Sequence, residues 1–154
     1  MFRGRYEHAI DKKGRTSLPA RFREVLSAAG ESRLVITSGL EPCLVAYSMS
    51  EWLAFEERLS ALPQFDPSVA MLRRIYVSGA VECELDKMGR VLIPATLRKH
   101  AELEREATWA GMGKHIERFQ RTYKYGAILG GSEEIMADLG IRQALRAFPE
   151  DARM

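Results

Sequence analysis

Two carboxylate–guanidinium pairs at the same spacing, Asp11 with Arg15 and Asp86 with Arg90, are the residues of this 154-residue chain best suited to recognition chemistry. Each pair brackets a Lys-x-Gly. Asp starts turns because its carboxylate accepts a hydrogen bond from the backbone N–H two residues on. Gly supplies positive φ, as in a type I turn closed by a glycine bulge. The acid and the base then stand on opposite arms of one tight turn, where the carboxylate holds the guanidinium fork in a fixed direction. Such an arginine suits bidentate contact with guanine O6 and N7, or with phosphate. One such turn alone would read as a solvated hairpin tip. Its recurrence with Arg directly after Gly, which hairpin geometry does not require, favours DNA contact. Arg15 is expected to read a base or clamp a phosphate. Lys12, Lys13, Arg3 and Arg5 would neutralise phosphates, Arg90 with Lys87 would add a weaker contact, and Asp11, Gly14, Asp86 and Gly89 would shape the turns.

The turns lie within a longer repeat. Residues 10–23, I-D-K-K-G-R-T-S-L-P-A-R-F-R, align without a gap to 85–98, L-D-K-M-G-R-V-L-I-P-A-T-L-R, with seven of fourteen positions identical. One structural unit is therefore present twice. The net charge is only +2, but residues 1–30 hold seven Lys/Arg against three Asp/Glu, a net of +4. A clustered basic surface attracts polyanions whatever the total charge. The second copy has Met88 where the first has Lys13, and Glu82 and Glu84 precede it. Arg3, Arg5, Arg21 and Arg23 lie near the first turn in sequence, so the two turns are expected to be unequal, with the N-terminal one dominant.

Rival chemistries find little support. Cys43, Cys83, His8, His100 and His115 are scattered, without metal-ligand spacing and without a disulfide framework, so no metal and no cofactor are expected. Gly111–Lys114 (G-M-G-K) resembles the end of a phosphate loop. Thr108 stands where the first Gly should be, and His115 follows where Ser or Thr should, so it reads as a hairpin turn. No G-x-S-x-G or H-E-x-x-H is present, and no enzymatic activity or small-molecule substrate is expected. Without a signal peptide or a long apolar run, the chain is expected to be cytoplasmic and not membrane-bound.

The elements that must position the turns follow from periodicity. Arg5–Ile10 and Ala80–Leu85 read as strands, the second with Val81, Cys83 and Leu85 on one face. His8 aligns with Cys83, which predicts packing rather than catalysis. Each strand enters its turn, returns as Arg15–Leu18 or Arg90–Ile93, and meets Pro19 or Pro94 at a helix start. Phe22, Val25, Leu26 and Ala29 give the first helix an apolar face. Hairpins follow: Leu34–Ser38 with Leu44–Tyr47, and Thr108–Met112 with Ile116–Phe119. Four short strands and one helix are marginal alone, so the two units should share a core. Between them Ser50 reads as an N-cap for a helix with Trp52, Phe55, Leu59 and Leu62, stopped by Pro63. Asp66-Pro67 starts another with Val69, Leu72 and Tyr76. Trp109 reads as core, and Glu102–Glu106 as solvated surface. The stretch from Ser132 to Phe148 reads as helical. The division is 5–49 for the first unit, 50–78 for the helical insert, 79–123 for the second unit and 124–154 for a helical tail.

The opening M-F-R-G-R-Y-E-H-A-I-D-K-K-G-R-T-S-L-P-A-R-F-R, the second L-D-K-M-G-R-V-L-I-P-A-T-L-R and the G-x-G…E-R-F element at Gly111–Phe119 closely resemble the MraZ family, from Met1 to about Tyr123. The resemblance implies an α+β fold of two SpoVT-AbrB-like, swapped-hairpin units forming an intramolecular pseudo-dimer. It implies a nucleoid-associated transcriptional regulator that assembles into ring-shaped homo-oligomers. Such proteins bind promoter direct repeats in double-stranded DNA upstream of their own operon, typically the division and cell-wall gene cluster. The family's D-x-x-x-R hallmark falls on Asp11–Arg15 and Asp86–Arg90, which assigns DNA contact to Arg15 and, by repeat symmetry, to Arg90. The alternative is an antitoxin-type interaction module, since AbrB-like units also occur in antitoxins whose tail binds a partner protein.

Overall fold

The computed structural model describes residues 1–39 and 41–120, so the expected tail at 124–154 lies outside the described residues. The first unit runs β1 (Arg5–Ala9), β2 (Arg15–Ser17), α1 (Ala20–Ala28), β3 (Arg33–Ser38) and β4 (Cys43–Ser48). The insert follows as α2 (Met49–Ser60) and α3 (Pro67–Leu72), the latter prolonged by a π-helical turn, Arg73–Val77. The second unit repeats the first as β5 (Val81–Glu84), β6 (Arg90–Leu92), α4 (Ala95–His100), β7 (Glu106–Gly111) and β8 (His115–Gln120).

The fold is α+β, and its pairing is an exchange. One antiparallel sheet has the order β1-β7-β8-β4-β3-β5, and a separate two-stranded ribbon pairs β2 with β6. Each unit's first strand therefore joins the other unit's third, and the two second strands join each other. The expected β1–β2 hairpin survives only as a single bridge, Ile10 with Thr16, matched by Leu85 with Val91 in the second unit. Beyond that bridge the arms part toward different partners. The β4–β8 pair lies at the centre of the sheet, where the pseudo-twofold axis of the two units must pass.

Burial explains why one unit would not suffice. The core gathers Ile10, Leu18, Phe22, Leu26, Leu34, Ile36 and Leu44 from the first unit with Cys83, Val91, Ile93, Leu97, Trp109 and Ile116 from the second. Phe22 has no exposed surface and meets Phe2 and Tyr6 edge-on at 5.4 and 5.3 Å. Pro19 and Pro94 take the N-cap positions of α1 and α4, one residue before the expected place, with extended ψ that turns the chain from strand into helix. Leu103 is buried within the Glu102–Glu106 stretch, whose charged members are exposed as expected. The insert packs a second apolar cluster, Leu59, Leu62, Val69 and Leu72. It meets β4 through Tyr47, whose ring lies 5.5 Å from Trp52. Its N-cap is Ser48, not Ser50, because the Ser48 hydroxyl accepts from Glu51 N–H while the Glu31 carboxylate takes the N–H groups of Met49 and Ser50. Asp66 caps α3 with Pro67 in its first turn, as the sequence predicts.

The shared core is not symmetric. Trp109 stands in register between Tyr6 and Arg118, as Ile36 stands between Val81 and Ala46. Trp109 and Arg118 thus occupy the positions that Ile36 and Ala46 occupy in the other half. The repeat likewise aligns Thr16 with Val91 and His8 with Cys83. Arg118 is 1% exposed, and its guanidinium lies 4.3 Å over the Trp109 ring. Its Nη2 donates to Thr16 Oγ1 at 2.9 Å and to the His8 carbonyl at 3.3 Å, while its Nε and Nη1 are buried without a hydrogen-bond partner among the described residues. Burial pushes its pKa down to about 9, so the guanidinium stays charged at neutral pH. One half of the core is consequently polar and cationic, the other apolar. Arg118→Met takes from the Thr16 hydroxyl its buried donor and should lower unfolding free energy by about 1–3 kcal/mol. Adding Thr16→Val, the second unit's own residue, should recover part of that loss in denaturant titration. Losses that simply add would disprove the coupling.

Candidate nucleic-acid interface

The two turns are built alike, atom for atom. Asp11 Oδ1 accepts from the N–H groups of Lys13 and Arg15, both at 2.9 Å, and Asp11 Oδ2 accepts from Arg15 Nε at 2.7 Å. Asp86 repeats this, with Met88 N–H at 2.8 Å, Arg90 N–H at 2.9 Å and Arg90 Nε at 2.8 Å. Gly14 and Gly89 close the turns with φ of +87° and +72°, a region where a side chain is strained. The carboxylate thus holds each guanidinium by Nε and leaves its two Nη groups for a ligand. In the exposed Asp11 the backbone N–H of Arg15 is foremost in holding the carboxyl below the usual carboxylate range; desolvation opposes it, and the Arg15 side chain and Lys13 N–H add to the lowering. Asp86 is lowered in the same way, led by the Arg90 N–H. A carboxylate whose folded pKa is depressed stabilises the turn above its ordinary titration range and loses that contribution as pH falls through the lowered value. Both turns are therefore fully formed at neutral and mildly acidic pH.

The ribbon sets the two arginines side by side. Arg15 lies opposite Leu92, Thr16 opposite Val91, and Ser17 opposite Arg90. Alternation along each strand puts Thr16 and Val91 on the buried face, at 1% and 0% exposure. Arg15, Ser17, Arg90 and Leu92 share the outward face. Arg15 and Arg90 are two strand positions apart, about 7 Å along the ribbon.

Each turn is also clasped by the other unit. The Gly89 carbonyl accepts the Leu18 N–H at 3.0 Å, and the Gly14 carbonyl accepts the Ile93 N–H at 3.1 Å. Arg98, on α4, donates from Nε to the Ile93 carbonyl at 3.0 Å. A Cβ placed on Gly14 would meet its guanidinium carbon at 2.7 Å. Arg23, on α1, covers Gly89 in the same way and reaches the Met88 carbonyl from Nη1 at 3.5 Å. Arg23 and Arg98 are the last identity of the repeated phrase, and that signal was present in the sequence: nothing in a turn or a short helix requires Arg there. Arg23 lies at the second turn and Arg98 at the first, so nearness in sequence to the first turn does not place the charge of Arg23 there.

Not every expected residue joins this surface. Lys12, Lys13 and Lys87 are exposed on the turns. Arg5 sits at the far end of β1, opposite Ala110, six residues and roughly 20 Å from Asp11. Arg3 lies beyond it, where its backbone passes against Gly111 near the β7–β8 turn. Neither is brought to the ribbon. His8 is half-buried, and its pKa is lowered by burial first and then by Arg118 and Arg23, so it is a neutral packing residue. Burial pushes the Cys43 thiol up to about 12 and that of Cys83 to about 11, which leaves neither a nucleophile. Among the described residues no group of three His, Cys, Asp or Glu side chains could hold a metal ion, and no helix is long and apolar enough to cross a membrane. Gly14→Ala forces a side chain into the left-handed region under Arg98. It should cost about 1–3 kcal/mol of stability in a thermal melt, and an unchanged melt would mean the turn can be rebuilt without positive φ.

A family model described as "MraZ protein, putative antitoxin-like" matches residues 1–75 and 76–129, one match to each unit. A protein of Desulfitobacterium hafniense named "Transcriptional regulator MraZ" is 49% identical over 117 residues, covering 76% of this chain and 79% of the relative. Another of that name from Caldanaerobacter subterraneus is 46% identical over the same fraction of both chains. A third, from Heliobacterium modesticaldum, is 44% identical over 140 residues, covering 90% of this chain and 95% of its own.

Proposed function

Because the chain belongs to the MraZ family, whose named members here are transcriptional regulators rather than enzymes, we propose that it is a sequence-specific DNA-binding regulator and that the β2–β6 ribbon is its contact surface. The observation that carries this reading is the pair of carboxylate-held guanidinium groups on one outward face. A two-stranded ribbon fits the major groove, and a guanidinium presented there can pair with guanine O6 and N7. The spacing of Arg15 and Arg90 corresponds to about two base-pair steps of duplex. Lys12, Lys13, Arg23, Lys87 and Arg98 surround that face with positive charge for the phosphates. Arg3 and Arg5 would reach DNA only if the duplex extended past the β7–β8 turn.

The finer reading draws on the family resemblance. The protein assembles into a ring, each subunit presents one ribbon, and the ring engages direct repeats upstream of its own operon, the division and cell-wall gene cluster. Repetition of one short contact around a ring converts individually weak binding into avidity. The compartment is the cytoplasm, on the nucleoid.

Arg15→Ala should weaken specific binding by about 1–3 kcal/mol in a mobility-shift titration. The matched geometry of the second turn predicts a loss of the same order for Arg90→Ala. Unaltered affinity in both variants would remove the ribbon from the interface. Raising salt between roughly 50 and 200 mM should cost tenfold or more in affinity, and a flat response would contradict phosphate contact. A footprint on the DNA upstream of the protein's own gene should show evenly spaced protected segments. A single isolated segment would contradict repeated engagement by a ring.

A further inference from the structure

The outward face of the ribbon carries two features that phosphate attraction does not use. Leu92 is 54% exposed and lies directly opposite Arg15. Met88 is 69% exposed at the tip of the second turn, next to the position where Arg23 meets its backbone. The repeat aligns these residues with Ser17 and Lys13. The two units therefore present the same held arginine with different company: a hydroxyl and an ammonium beside Arg15's own strand, two bare apolar side chains on the strand that carries Arg90. The backbone beneath is the same in both, so the difference lies in the side chains alone.

A largely exposed methionine and a half-exposed leucine add little to the core. They stand amid Lys12, Lys13, Arg15, Lys87 and Arg90, where an apolar protein partner would have to bury several cations. Charge complementarity favours a polyanion instead. A duplex major groove offers one apolar group at its base edges, the C5-methyl of thymine. Resting on the proposed DNA contact, we infer that Leu92 and Met88 are specificity-determining residues that pack against thymine methyls beside the base pairs reached by Arg15 and Arg90. The first turn then supplies charge and hydrogen bonds. The second supplies the same arginine chemistry plus methyl recognition. Because Leu92 is in register with Arg15, the thymine it reads lies within about two base-pair steps of the base pair that Arg15 contacts.

The test separates the methyl from the rest of the base. A duplex selected by the full-length protein from a randomised pool is remade with deoxyuridine replacing thymidine, one position at a time. This removes a single methyl and leaves every Watson–Crick and groove hydrogen bond in place. For the wild-type protein, one or two positions near the Arg15-dependent base pair should lose about fourfold in affinity each, the value of one buried methyl. Leu92→Ser, which installs the first unit's residue at an exposed position, should bind the thymine duplex more weakly. It should show no further loss at the uracil position that Leu92 reads, and its salt dependence should be unchanged. Met88→Lys should do the same at the other position while steepening the salt dependence. Wild-type affinities within experimental error for all uracil-substituted duplexes overturn the inference. If Arg15→Ala still weakens binding in that case, the DNA contact itself stands. If no duplex is selected or bound at all, both readings fall together.

Discussion

Everything outward-facing in this structure depends on a reciprocal hold between the two units at the glycine of each turn. The Gly14 carbonyl is paired by the second unit's Ile93, and the Gly89 carbonyl by the first unit's Leu18. Arg98 and Arg23 then cover those glycines from the partner's helices. Each turn sets its own internal shape through Asp11 or Asp86, yet its place in space is fixed by the other unit. The arginine a turn presents is therefore oriented twice: by a carboxylate four residues away in its own chain segment, and by the partner's backbone. A guanidinium restrained in this way loses less freedom on meeting a ligand than one on a free side chain.

That arrangement was half visible in the sequence. The order of elements, the turns, the helix starts at Pro19 and Pro94, and the inward side of β5 at Cys83 follow from local rules of periodicity and turn chemistry. Strand partners do not. Alternation says which side of a strand is buried and is silent about which strand lies beside it, so β1 and β2 read as a hairpin when they share a single bridge. Arg23 shows the same limit. Its nearness in sequence to the first turn suggested one charge centre, and the exchange of strands carried it to the second.

Arg118 lies beyond what turn chemistry and the repeat can show. The alternation of Ile116 and Arg118 put both on one face, and Ile116 is fully buried. A reader of sequence expects a charged residue to point the other way, because an unpaired buried cation is costly. Here the indole of Trp109, the hydroxyl of Thr16 and a strand carbonyl make up part of that cost. Trp109 faces it across the β7–β8 hairpin, but Thr16 and the His8 carbonyl come from the other unit and meet it only through the fold. Arg3 and Arg5 show the reverse: their charge was plain, and so was the strand expected at Arg5–Ile10, whose length, as β1 (Arg5–Ala9), carries them away from the turn.

The polarised core also governs which unit pairs with which. His8 and Thr16 belong to the first unit, and Trp109 and Arg118 to the second. Two first units brought together would set the Thr16 hydroxyl against Ile36 and Ala46, with no donor to meet it. Two second units would bury Arg118 against Val91 and Cys83, with no oxygen from Thr16. Only the mixed pairing brings the Thr16 hydroxyl and the Arg118 guanidinium together. A duplicated segment has thereby become two halves that are no longer interchangeable.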